Sequence, residues 1–133
     1  TADPLAQRDY HWMAALILTG MRIQEFSRLT APLVRLALTS GWLVSLKDHC
    51  KGKRHANEYL VTAPLRQHLQ ALLALSDAEA AGLDLTQQLQ PLVWGRDCAP
   101  LSVRSYEARM KVWAVAAGLD HRVSPHWLRH TRG

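Results

Sequence analysis

Helix breakers are the features that most constrain this chain: Gly20, Pro32, Pro64, Gly118 and Pro125 each stand at the edge of an apolar run and divide it into short pieces. Between Leu5 and Thr19, Tyr10, Met13, Leu16 and Ile17 recur at helical spacing, so a first helix is expected to stop at Gly20. A second is expected from Met21 through Phe26 and Leu29 to Thr30, before Pro32. Gly41 to Leu46 and Glu58 to Val61 are short β-prone runs around a polar, basic loop containing Gly52 and Asn57, a hairpin pattern. After Pro64, Leu65, Leu69, Leu72 and Leu73 make one face of a third helix, and Asp77 to Leu89 reads as a further short helix or helical loop. Ser102 is an N-cap for a helix whose Val103, Tyr106, Met110, Trp113, Ala114 and Ala117 form a stripe up to Gly118. Ser124-Pro125 opens a last helix at His126. The pattern predicts a single α+β domain over 1–133, mainly helical, with a small antiparallel β-hairpin sheet.

A chain of 133 residues buries about two-thirds of its surface on folding, so a core holds without disulfides or metal. Cys50 and Cys98 lack the paired spacing of a zinc site and are too few for a disulfide framework, which fits a reducing, cytoplasmic setting. No apolar run approaches the ~18 residues of a membrane span, and the N-terminal residues do not read as a secretion signal. Charge points elsewhere. Lys and Arg total 16 against 11 Asp and Glu, a net +5, and 12 of the 16 are arginine, whose planar fork grips phosphate oxygens in pairs. Residues 47–55 carry four cations and one anion, and 104–132 carry six cations and two acids, whereas 77–90 holds three acids and no base. One basic face and one neutral or acidic face follow, with nucleic acid as the partner that suits them.

Two local constellations sharpen that reading. Ser124-Pro125-His126-Trp127-Leu128-Arg129-His130-Thr131 puts His126 and Arg129 one helical turn apart at a helix start, where free N–H groups already favour an anion. The plainer alternative is a helix start with Trp127 and Leu128 packed and the polar residues solvated. Thr19-Gly20-Met21-Arg22-Ile23-Gln24-Glu25 puts an arginine just past a helix-ending glycine with an acid three residues on, so Glu25 can hold Arg22 in place before a substrate arrives. The alternatives there are an ordinary surface pair and a helix-turn-helix with Gly20 in its turn.

Taken together and in order, Thr-Gly-Met-Arg-Ile-Gln-Glu, a hairpin with Lys-Gly-Lys, and Ser-Pro-His-Trp-Leu-Arg-His-Thr closely resemble the catalytic domain of the tyrosine recombinase (phage integrase) family. The resemblance extends over nearly the whole chain, including Leu92-Val93-Trp94-Gly95-Arg96 and the helix ending in Ala-Gly-Leu. It implies that Arg22 is the first catalytic arginine, that His126 and Arg129 are the His-x-x-Arg pair, and that Glu25 supports Arg22. It implies that Lys51 is the catalytic hairpin lysine, with Lys53 as the alternative because this loop is about three residues longer than usual. His130 is implied as a supporting residue, and Lys47, Lys53, Arg54 and Arg104 as DNA contacts. The family's nucleophilic tyrosine follows the His-x-x-Arg helix, so no nucleophile is expected within this chain: Tyr10, Tyr59 and Tyr106 lie upstream in other elements. The DNA-clamping domain that precedes the catalytic domain is likewise expected outside it.

The implied reaction is strand transfer on double-stranded DNA through a phosphotyrosine, by a tetramer in the full-length relative and with this chain monomeric. Neither metal nor nucleotide cofactor is implied. His126 and His130 have metal-ligand spacing but no evident third ligand, and no phosphate-cradling glycine motif occurs. The five tryptophans are read mostly as core. Two rival classes remain open: a non-catalytic DNA-binding module, whether a degenerate recombinase or a helix-turn-helix regulator, and a helical protein-interaction domain with incidental basicity.

Overall fold

The computed structural model describes residues 3–45, 57–85, 89–96 and 98–118. Helix α1 (Pro4–Thr19) opens as its residues dictate: Asp3 accepts a hydrogen bond from the Leu5 amide at 3.1 Å, and proline occupies the first turn. It closes on Gly20, at φ 68°, whose N–H donates to the Leu16 carbonyl at 2.9 Å. Its buried face is Asp9, Trp12, Ala15, Leu16 and Thr19, which differs from the expected stripe. Tyr10 is 60% exposed and Ile17 41%, because the inward face is a neighbouring stripe with the ion-paired Asp9 at its start.

The expected second helix, Met21 to Thr30, is shorter than the spacing predicts, and a further helix that was not expected follows it. Helix α2 (Ile23–Ser27) ends early, and α3 (Ala31–Ser40) starts anew from Thr30, whose hydroxyl accepts from the Leu33 amide at 3.4 Å, with proline tolerated in the first turn. Strands β1 (Trp42–Ser45) and β2 (Asn57–Leu60) pair antiparallel, as the hairpin pattern predicts, with Trp42 opposite Leu60 and Ser45 opposite Asn57. Helix α4 (Ala63–Ala80) runs on through Asp77, so the start of the expected Asp77–Leu89 element is the end of α4; Gly82 follows in a left-handed conformation. Helix α5 (Val103–Ala116) is capped by Ser102, which accepts from the Ser105 amide at 3.1 Å, and buries Tyr106, Met110 and Ala114.

Helix α1 packs along α4, β1 lies on α3, and α5 crosses α1 and α2. At that crossing Tyr106 meets Trp12 edge to face at a ring separation of 4.8 Å and Phe26 at 5.9 Å, the geometry aromatic quadrupoles favour. The 89–96 segment closes the core: Ala31 donates to the Gln90 carbonyl at 2.8 Å, Leu92 to Leu29 at 3.0 Å, and Trp94 Nε1 to Ser76 at 3.1 Å. Gly95 is required by close approach, since a Cβ there would lie 3.2 Å from Leu101 Cα. Trp12 and Trp94 are core as expected, whereas Trp42 is 47% exposed. No helix of the described residues is long and apolar enough to cross a membrane.

Candidate functional site

The turn between α1 and α2 presents Arg22. Thr19 folds its hydroxyl back to donate to the Ala15 carbonyl at 2.9 Å and accepts from the Met21 amide at 3.2 Å, and Met21 is fully buried. Arg22 therefore leaves a pinned turn. It is the N-cap residue of α2 in extended conformation, its carbonyl accepting from the Phe26 amide at 3.0 Å, and its side chain lies on an exposed position. Arginine has no acceptor for the free amides of the next turn, so the cap is completed in reverse: Glu25 Oε1 accepts from the Arg22 backbone N–H at 3.4 Å.

Glu25 is only 3% exposed. Its Oε2 accepts from Asn57 Nδ2 at 3.0 Å and from the Tyr59 hydroxyl at 3.1 Å, and Ser45 adds a further side-chain bond. Burial pushes its carboxyl upward, but the donors from Asn57, Ser45, Tyr59 and the Arg22 amide outweigh that and hold it below the ordinary carboxylate range. The carboxylate is thus ionised at neutral pH. Sequence spacing offered Glu25 as a carboxylate to orient the Arg22 guanidinium, whereas the bond in the structure is to the Arg22 backbone N–H; the partners from both hairpin strands depend on tertiary pairing and were not foreseen.

Arg104 is exposed in the first turn of α5. Phe26, one turn after Arg22, packs on Tyr106 of α5 at a ring separation of 5.9 Å. Lys47, Lys51, Lys53, Arg54, His126, Arg129 and His130 lie outside the described residues.

Two polar clusters escaped the sequence reading. Asp9, fully buried, accepts from Arg8 (2.8 Å), Trp12 Nε1 (2.8 Å), Arg109 (2.8 Å) and Trp113 Nε1 (2.7 Å). Burial raises its pKa, and the bonds from Trp113, Arg8, Trp12 and Arg109 more than reverse this, leaving it below the usual value. The Arg8-Asp9-x-x-Trp12 run is its local signal; Arg109 and Trp113 arrive from α5. In the second cluster His11 Nδ1 and His68 Nδ1 stand 2.9 Å apart between α1 and α4, with Tyr10 edge-on to both rings. Among the described residues, no three His, Cys, Asp or Glu side chains gather in a way that could hold a metal ion.

Two of the three tyrosines are engaged in the fold. Tyr106 is fully buried, which pushes its phenol far above the ordinary value, and Tyr59 donates to Glu25. Tyr10 sits on α1 against the histidine pair, about 13 Å of helix axis before Thr19 at 1.5 Å per residue.

Known proteins resemble this chain in sequence and in fold. Residues 1–133 match the phage integrase family model. The tyrosine recombinase XerC of Neisseria gonorrhoeae is 30% identical over 130 residues, which are 97% of this chain and 38% of that protein, and XerC of Psychromonas ingrahamii is 24% identical over 97% of this chain and 40% of its own length. The chain thus spans well under half the length of these relatives. In fold it resembles the XerA recombinase (TM-score 0.74, 21% identity, 95% of this chain and 42% of that one). It also resembles the Tn1549 transposon integrase, solved in complex with circular intermediate DNA (TM-score 0.73, 17% identity, 98% and 45%). With a mainly helical fold around one hairpin, an exposed arginine at the α1–α2 turn and a family match along its whole length, this chain belongs to the phage integrase family of tyrosine recombinases.

Proposed function

We propose that this chain is the phosphate-activating part of a site-specific DNA recombinase catalytic domain, in which Arg22, Lys51, His126 and Arg129 surround one DNA phosphodiester. Arg22 and Arg129 balance the charge that builds on the non-bridging oxygens as phosphorus becomes five-coordinate, the kind of electrostatic stabilisation that dominates such reactions. His126 adds a hydrogen bond to the same oxygens. The hairpin lysine, Lys51 before Lys53, gives its proton to the departing 5′-oxygen, while a tyrosine from the rest of the protein bonds to phosphorus. The 5′-hydroxyl later attacks the phosphotyrosine of the partner strand, so bond energy is conserved. Exchange between two duplexes cuts four strands, which calls for four protomers. A substrate of this kind places the protein in the cytoplasm.

The observation that carries this reading is the geometry at Arg22: an exposed guanidinium on a turn fixed by a buried, ionised Glu25 that both strands of the hairpin serve. Exposed Arg104 extends the basic surface for the flanking phosphates, as Lys47, Lys53 and Arg54 do from the loop, with His130 supporting Arg129. The bond of Tyr59 to Glu25, the burial of Tyr106 and the place of Tyr10 against the histidine pair support a nucleophile elsewhere, so that residues 1–133 alone hold DNA without cutting it. The test is covalent capture: the full-length gene product, mixed with a pool of nicked duplexes, yields a protein–DNA adduct on a denaturing gel. Arg22→Ala lowers the adduct rate by about 100-fold or more. Absence of an adduct with wild-type protein, or full activity in Arg22→Ala, refutes the proposal.

A further inference from the structure

We infer that Asn57 and Tyr59 are positioning residues for Arg22: through the buried carboxylate of Glu25 they tie the first half of β2 to the turn on which that arginine stands. The inference rests on the proposed function, which gives Arg22 a phosphate to hold.

The strand supplies the logic. Asn57 and Tyr59 are two residues apart, so their side chains fall on one side of β2, while Glu58 and Leu60 are exposed. Opposite Asn57 in the register stands Ser45, itself fully buried. Side chains from both strands therefore converge on one carboxylate that belongs to α2. A face whose sole task was packing would need no such donors; phenylalanine at 59 would fill the same volume. The donors are needed because Glu25 is buried and charged, and a buried charge is held only where its hydrogen bonds hold it.

The link onward is more sensitive. Glu25 reaches the Arg22 amide at 3.4 Å, the long end of a hydrogen bond, whereas its bonds to Asn57 and Tyr59 are 3.0 and 3.1 Å. The hairpin side thus sets where the carboxylate sits, and the Arg22 turn follows it. A shift of a few tenths of an ångström on losing a donor weakens that link and frees the start of α2, which at five residues has few bonds of its own. A guanidinium that must meet a phosphate in the transition state tolerates little displacement, since an error of about 1 Å can slow a reaction by about 100-fold.

The experiment uses the full-length gene product and one nicked duplex isolated by covalent capture with wild-type protein from a randomised pool. Tyr59→Phe and Asn57→Ala are compared with wild type for DNA affinity and for single-turnover adduct formation at saturating DNA. We expect the adduct rate to fall about tenfold, with affinity changed less than about threefold, because the lost contact acts in the transition state. A second duplex carries a methylphosphonate at the scissile position, where a methyl group replaces one non-bridging oxygen and removes the charge Arg22 balances. On it Tyr59→Phe is expected to match wild type within about twofold. Melting temperature establishes that the variants are folded, and Tyr59→Phe, the milder change, stands if Asn57→Ala does not fold. Equal slowing of Tyr59→Phe on both duplexes, or unchanged rates on the phosphate duplex, overturns the inference while the proposed function stands. Failure of wild-type protein to form any adduct overturns both.

Discussion

A carboxylate taken out of water needs donors to replace it, and Asp9 and Glu25 meet that need in different places: Asp9 at the crossing of α1 and α5, Glu25 where α2 meets the hairpin. Asp9→Asn would turn an amide N–H₂ toward N–H donors from Arg8, Trp12, Arg109 and Trp113. We expect a loss of about 3 kcal/mol or more of unfolding free energy in urea titrations, the scale of a broken buried ion pair. The histidine pair should show in the pH dependence. Burial, and next the charge of His68, hold His11 below the ordinary 6.5, so the unfolded chain takes up a proton more readily than the folded one as pH falls. The contribution is fully present above pH 6.5 and is lost as pH drops from 6.5 toward the lowered value. The melting temperature should fall between about pH 7 and pH 5.5, and less steeply in His68→Gln; identical slopes would remove the pair as the cause. Sequence signals for such residues are weak because the partners are remote: Asp9 and Arg109 are 100 positions apart and meet only when α5 crosses α1.

At the scale of elements, the punctuation was the most legible part. Gly20, at φ 68°, and Ser102, as the cap of α5, sit where their chemistry predicts. Gly20→Ala should cost about 1 kcal/mol through its left-handed backbone, and Ser102→Ala about 1 kcal/mol through the lost cap, each read from thermal or urea unfolding. What failed was the reading of faces. Helix α1 buries Trp12, Ala15 and Leu16 with Asp9 one turn before them, and leaves Tyr10 and Ile17 exposed, so the inward face is a neighbouring stripe that a charged residue at its start disguised. Helix α3 was not foreseen, since Leu33, Leu36 and Leu38 spread around its circumference and Leu36 is 67% exposed, leaving no clean period to detect. The hairpin, by contrast, followed from β-prone runs on either side of a polar loop, though its register did not.

For the whole molecule the charge balance makes a solution prediction: residues 1–133 bind duplex DNA weakly and with little sequence preference, the affinity falling at least about tenfold between 50 and 200 mM salt. Salt-insensitive binding would contradict phosphate contacts as its source. Membership of the family was legible in three ordered motifs, and Arg22 with Glu25 stood out once those motifs were taken together, whereas the attachment of Glu25 to Asn57 and Tyr59 was not legible, because it crosses from a helix to a strand more than 30 positions away. If Arg22 and Arg129, more than 100 positions apart, serve one phosphate, a structure of the full-length protein on its DNA will show it. We expect the guanidinium groups of Arg22 and Arg129 both within about 3.2 Å of oxygens on a single phosphate, with His126 and a hairpin lysine beside it. Arg22 and Arg129 on opposite faces of the domain, or on different phosphates, would contradict the proposed function.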